Sequence, residues 1–106
     1  MNGYQITFYT DRHKKHGSAT VFDWLLLKVK EMGISGVTVL NAAEGFGHGG
    51  PRHSAHFLGL GDQPVQIIMA VSKDEAQRIR PAADEEGVNV FFTQSAIEFG
   101  ITRKGS

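Results

Sequence analysis

The residues best equipped for chemistry crowd into one short stretch, positions 44 to 56. It reads Glu44-Gly-Phe-Gly-His-Gly-Gly-Pro-Arg-His-Ser-Ala-His56. Four glycines fall in the six positions from Gly45 to Gly50. Such a run reads as a mobile loop, Gly45 to Ser54. His48, His53 and His56 lie within nine residues, and neutral imidazole is a common ligand for zinc, copper or nickel. That trio is the metal reading, and another subunit could complete it. The spacing matches no closed zinc motif, and the chain has no cysteine. The plainer reading is a set of exposed polar residues on a mobile loop. Glu44 could pair with Arg52 or act as a base, but a carboxylate without a partner acid is a weak catalytic signal. No Ser-His-Asp spacing, P-loop or strand-led G-x-G-x-x-G is present, so no catalytic role is expected.

Composition narrows the classes. The chain has 106 residues, 41% hydrophobic and 21% charged. That is one domain with ordinary globular values. A chain of this size buries a modest share of its surface, so association would help stabilise it. Lys plus Arg and Asp plus Glu are 11 each, for a formal net charge of zero. Nucleic-acid or membrane-surface binding rests on a strong positive field, so neither is expected. The local exception is Arg12-His13-Lys14-Lys15-His16, which could bind phosphate or an acidic partner, or form a solvated turn. No apolar run reaches the roughly 18 residues of a membrane span. The first residues do not read as a signal peptide. The expected location is the cytoplasm.

The loop needs elements to hold it. Tyr4 to Thr10 alternates and is rich in β-branched and aromatic residues, so it reads as a strand. Asp11 to Gly17 is a polar connection. Ser18 or Thr20 can cap a helix in which Val21, Leu25, Val29 and Met32 form one stripe. Phe22, Trp24, Leu26 and Leu27 widen that stripe, suggesting contact with the sheet and with a further surface. Gly33 suits the helix stop. Val37 to Leu40, continued by Asn41-Ala-Ala, reads as the second strand. The loop, Gly45 to Ser54, caps a long hairpin whose return strand is His56 to Leu60. Pro64 leads Val65 to Val71, the most apolar run and a central strand. A second helix opens at Lys73-Asp74-Glu75 and buries Ala76, Ile79 and Ala83. Pro81 predicts a kink or a split there, and Gly87 ends the helix. Val88 to Thr93 reads as the last strand. Ala96 to Ser106 reads as a weakly structured tail.

Strand, helix, strand, loop, strand, helix, strand is the split βαβ pattern. The fold class is therefore α+β: a ferredoxin-like βαββαβ domain, an antiparallel sheet with two helices on one face. The other face needs cover.

The run Gly33-Ile-Ser-Gly-Val-Thr-Val39 followed by Gly45-Phe-Gly47 resembles PII signal-transduction proteins, with one extra residue between Val39 and Gly45. Pro64 with its strand and Asp74 fit the same pattern. Gly36-Val-Thr-Val39, Gly45-Phe-Gly47, Arg52-His53 and Asp62-Gln-Pro-Val65 resemble still more closely the compact PII-like proteins of undefined function. The resemblance spans roughly residues 4 to 93. It implies a homotrimer with inter-subunit clefts that bind an adenine nucleotide, AMP or ADP, or another anion. It also implies a 45–55 loop that signals to a partner, such as a membrane transporter or an enzyme. Thr38 takes the place of a residue near the adenine. Gly45 and Gly47 take the loop base, flanked by Glu44, Phe46, His48 and Gly49. Arg52, His53, Arg103 and Lys104 could supply charge.

Three features depart from the nitrogen-regulatory PII pattern. Gly49 stands where those proteins have a Gln used for 2-oxoglutarate and Mg-ATP. The loop tyrosine is missing. Pro81 to Gly87 is acidic where a second phosphate loop is expected. ATP and 2-oxoglutarate sensing of that kind does not carry over. AMP, ADP, a cyclic nucleotide, another anion or no nucleotide stay open. Three classes follow: a ligand-responsive regulator, a trimeric metal-binding protein using the loop histidines and, last, a small enzyme.

Overall fold

The computed structural model describes residues 1–41 and 63–103. Four strands form one antiparallel sheet. They are β1 (Asn2–Asp11), β4 (Gly36–Asn41), β5 (Pro64–Ser72) and β6 (Phe91–Glu98), in the spatial order β4-β5-β1-β6. Helix α1 (Val21–Glu31) joins β1 to β4, and α2 (Lys73–Glu86) joins β5 to β6. This is the expected ferredoxin-like order, with β5 and β1 central.

Alternation decides which side chains meet. On β5, Val65, Ile67, Met69 and Val71 are all buried, while Gln66, Ile68 and Ala70 between them are partly exposed. On β1, Ile6 pairs with Met69 and Phe8 with Ile67, so these side chains share the buried face. Val21, Phe22, Leu25 and Val29 of α1 cover that face, with Ala76, Ile79 and Ala83 of α2. Each of the larger ones contributes about 1.5–3 kcal/mol on leaving water, and the alanines less. The width expected for α1 is real on one side: Trp24 and Leu26 pack partly against the core. Leu27 does not, and is 59% exposed.

Both helices are closed by local chemistry. Thr20 caps α1, accepting from the Asp23 N–H at 3.0 Å. Gly33, at φ 73°, follows α1 in the left-handed region. Ser72 and Glu75 form a reciprocal capping box at the start of α2. Gly87 ends α2, and its N–H and that of Val88 return to the last turn.

Four expectations need correction. Pro81 neither splits nor ends α2, which runs unbroken over 14 residues. Pro81 and Gln77, one turn before it, are both exposed, so water can serve the carbonyl that proline leaves unbonded. The last strand starts at Phe91, because Val88 is used to close α2 and is buried there. It also runs to Glu98, so Ala96 to Glu98 are strand rather than tail. They pair with Tyr4, Gly3 and Asn2. The connection after β1 is not plain turn: Lys15–His16 (β2) pairs with Ala19–Thr20 (β3) across Gly17-Ser18. Gly17 has φ 62°, which a tight hairpin requires.

Two substitutions separate core from surface. Ile67→Ala should lower unfolding free energy by about 2–5 kcal/mol, and Leu27→Ala should change it by less than about 0.5 kcal/mol. Gly3→Ala should destabilise too. Its new methyl would collide with the Val71 carbonyl oxygen and stand 2.8 Å from the Phe99 ring. Urea titration of the three variants measures all of this.

Candidate functional site

The region of interest is where the sheet hands the chain to residues 42–62 and takes it back. Asn41 is the last described residue of β4, and Gln63 precedes β5. Both are tied to the end of β1. Asp11 is buried and accepts two backbone N–H bonds. One comes from His13 to Oδ1 at 2.7 Å, and one from Gln63 to Oδ2 at 2.7 Å. The Arg12 N–H donates to the Gln63 carbonyl at 3.1 Å. The Arg12 side chain turns the other way. Its Nε and Nη2 both donate to Asn41 Oδ1, at 2.9 and 2.8 Å, and its guanidinium lies 4.6 Å from the centre of the Phe22 ring. Asp11 and Arg12 thus fix both strand ends and connect them to α1.

Lys14 and His16 of the basic run have structural partners as well. Lys14 Nζ donates to the Asn89 carbonyl at 2.6 Å, and the Lys14 carbonyl accepts from the Val21 N–H. His16 Nε2 lies 3.6 Å from a Glu86 carboxylate oxygen and meets the Trp24 ring edge-on. The small hairpin therefore joins the start of α1 to the end of α2. The acidic end of α2 gives His16 its partner.

Thr38 is exposed on edge strand β4, on the face away from the helices, opposite Ile68. Leu40 on the same face is 46% exposed, and across the sheet Phe91 is 43% exposed beside Tyr9. Val39, on the helix side of β4, is also exposed. Arg103 is exposed beyond β6, the strand at the opposite edge from Thr38. Glu44, Gly45, Phe46, Gly47, His48, Gly49, Arg52, His53 and His56 lie outside the described residues, as do the expected hairpin tip, the return strand and Lys104. Among the described residues no three His, Asp or Glu side chains converge as a metal site.

Two features escaped the sequence reading. One is the pairing of Asp11 and Arg12 with Asn41 and Gln63, residues far apart in the chain. The other is a shallow cleft of about 310 Å³ between α2 and β6, lined by Tyr4, Gln77, Arg80, Asp84 and Gln94 among others. Arg80 lies across it, 4.1 Å from the centre of the Phe92 ring and donating to Gln94 Oε1 at 3.2 Å. Nothing in the spacing of these residues marks them, because they come from three elements.

The architecture defines a ferredoxin-like domain whose edge strand opens into a segment rich in glycine and histidine. The chain belongs to the DUF190 family (Uncharacterized ACR), whose model matches residues 3–98. No curated protein matches it significantly. Its fold is similar to that of a protein described as PII-like and signaling, from Thermus thermophilus. The TM-score is 0.60 at 19% identity, covering 92% of this chain and 87% of that one. It is also similar to CPII, a nitrogen regulatory PII-like protein from Thiomonas intermedia, bound to ADP, AMP and bicarbonate. There the TM-score is 0.63 at 15% identity, covering 94% and 97% of the two chains. A second CPII structure, bound to ADP, AMP and acetate, gives a TM-score of 0.57 at 14% identity, with 92% and 90% covered. The chain thus belongs to the DUF190 family and shares its fold with these PII-like structures. Among the described residues no helix is long and apolar enough to cross a membrane.

Asp11 offers a direct test of the strand-end anchor. Asp11→Ala leaves two backbone donors without their acceptor, at about 1–3 kcal/mol for each buried group. Asp11→Asn keeps one acceptor oxygen and should lose less. Thermal unfolding should rank wild type above Asp11→Asn above Asp11→Ala, with faster amide hydrogen exchange at Gln63 in both variants.

Proposed function

We propose that this protein is a PII-like regulator rather than an enzyme. It assembles as a homotrimer in the cytoplasm and senses an adenine nucleotide, AMP or ADP, or another anion, in clefts between subunits. The 45–55 loop carries the response to a partner protein, a membrane transporter or an enzyme. The observation that carries this reading is the separation of the site residues. Thr38 stands on one edge strand and Arg103 follows the other. A subunit cannot join its own sheet edges, but neighbouring subunits can. The half-exposed Leu40 and Phe91 give the helix-free face a reason to associate. The CPII structures, bound to ADP and AMP, support the choice of ligand.

In this reading Thr38 faces the base. Gly45 and Gly47 form the phosphate side, Arg52 and Arg103 balance its charge, and Glu44, Phe46, His48, Gly49 and His53 are the further ligand-binding candidates. Signalling requires the ligand to favour one loop state over another, since equal affinity shifts nothing.

Two measurements test the proposal. Light scattering should show a trimer, and Leu40→Lys should shift it to smaller species by burying an unpaired charge in the interface. In a thermal-shift screen, AMP or ADP at a hundredfold excess over Kd should stabilise the protein by about 2.7 kcal/mol. Gly47→Ala should abolish that gain. A protein that ignores every nucleotide, but responds to zinc, copper or nickel through His48, His53 and His56, would overturn the sensor reading in favour of a metal-binding one.

A further inference from the structure

Helix α2 carries two pairs of opposite charge spaced four residues apart, and they behave differently. Asp74 and Arg78 close, with Nε 3.1 Å from Oδ2. Arg80 and Asp84 do not, although residues so spaced are neighbours on a helix. Two causes keep them open. Arg80 precedes Asp84, the less favourable order for a helical pair. Arg80 is also held from β6: its guanidinium lies 4.1 Å from the centre of the Phe92 ring, and Nη1 donates to Gln94 Oε1 at 3.2 Å. Among the described residues it has no other hydrogen bond, ion pair or ring contact. Asp84 stands in the last turn of α2, which holds no basic residue. The carbonyl end of a helix is already negative, so a cation is favoured there and an anion is not.

The open pair lines the cleft of about 310 Å³ between α2 and β6. Ligand sites run from about 300 to 1,000 Å³, so this one suits a small molecule. A plain anion would be drawn to Arg80 and repelled by Asp84, and a plain cation the reverse. A molecule carrying both charges side by side is attracted by both walls. We propose that this cleft binds a small zwitterion, an α-amino acid, with its carboxylate on Arg80 and its ammonium on Asp84. The helix end orients it, because the ammonium lies toward the last turn. Arg80 keeps N–H donors beyond the one used on Gln94, and Gln94 keeps its amide N–H groups, so the carboxylate has several donors within the cleft. Tyr4, Gln77 and Pro81, which complete the lining, carry no charge and suit an uncharged side chain. Lysine at position 80 would keep the charge but not the planar hold on Phe92 and Gln94, and would be free to close on Asp84.

The test titrates the full chain with glycine, L-serine and L-glutamine, followed by nitrogen-15 NMR. Acetate and methylammonium serve as probes with one charge each. At millimolar concentration at least one amino acid should shift the signals of Gln77, Arg80, Asp84 and Gln94. Acetate and methylammonium should bind about tenfold more weakly, because each keeps only one of the two charge-assisted contacts. Asp84→Asn and Arg80→Lys should each weaken amino-acid binding by a similar factor. Both positions are exposed, so thermal unfolding should barely change. Asp74→Asn, the same change in the closed pair, should leave binding intact. Acetate binding as tightly as the amino acids would mark a plain anion site and overturn the proposal. Full affinity in Asp84→Asn or in Arg80→Lys would overturn it too, as would the absence of any shift with all three amino acids. The result is independent of whether the protein binds AMP or ADP.

Discussion

The structure depends on the pairing of β1 with β5. Gly3 to Asp11 runs antiparallel to Ser72 to Pro64 without a break. Because side chains alternate, this one register decides the rest. It puts Ile6 and Phe8 on the same face as Ile67 and Met69, and α1 and α2 can bury their stripes only there. A slip of one residue on β1 would send Thr7 and Tyr9 under the helices in place of Ile6 and Phe8. The pairing also brings the end of β1 to the start of β5. Asp11 and Arg12 meet Gln63 because the ladder delivers them there, not because of any local motif. The same register therefore builds the core and frames the candidate site.

Much of the fold was legible because its signals are local and periodic. The Val65 to Val71 run announced a central strand. Gly33 and Gly87 marked the helix ends, as their positive φ values show. The misread boundaries fell where a tertiary partner decides. Gln94, Ser95 and Ala96 carry little strand signal, yet β1 continues beside them and gives them partners. Pro81 is tolerated because its face of α2 meets water. Two local signals were overlooked: the Ser72-x-x-Glu75 capping box, and Gly17-Ser18 as a two-residue hairpin turn.

The candidate site was less legible, for a physical reason. In sequence the Arg12 to His16 run fits either an anion site or a solvated turn, whereas in the structure three of its side chains hold other elements of the same chain. A charged residue looks the same in sequence whether its partner is a ligand or a carbonyl far away in the chain. Arg12 meets Asn41, Lys14 meets Asn89 and His16 meets Glu86 only after the strands have paired. The glycine-rich segment differs. Its composition singles it out in the sequence, and it lies outside the described residues.

The helices cover one face of the sheet, and among the described residues nothing covers the other. β4 and β6 are edge strands, and β4 carries no charged residue to discourage pairing with another chain. A monomer left this way would expose Leu40, Phe91 and an uncharged strand edge to water. Association answers both the apolar face and the open edges, since it covers side chains and can satisfy backbone groups. The half-exposed Leu40 and Phe91 and the uncharged edge of β4 are thus the features of the described residues that a second copy would answer.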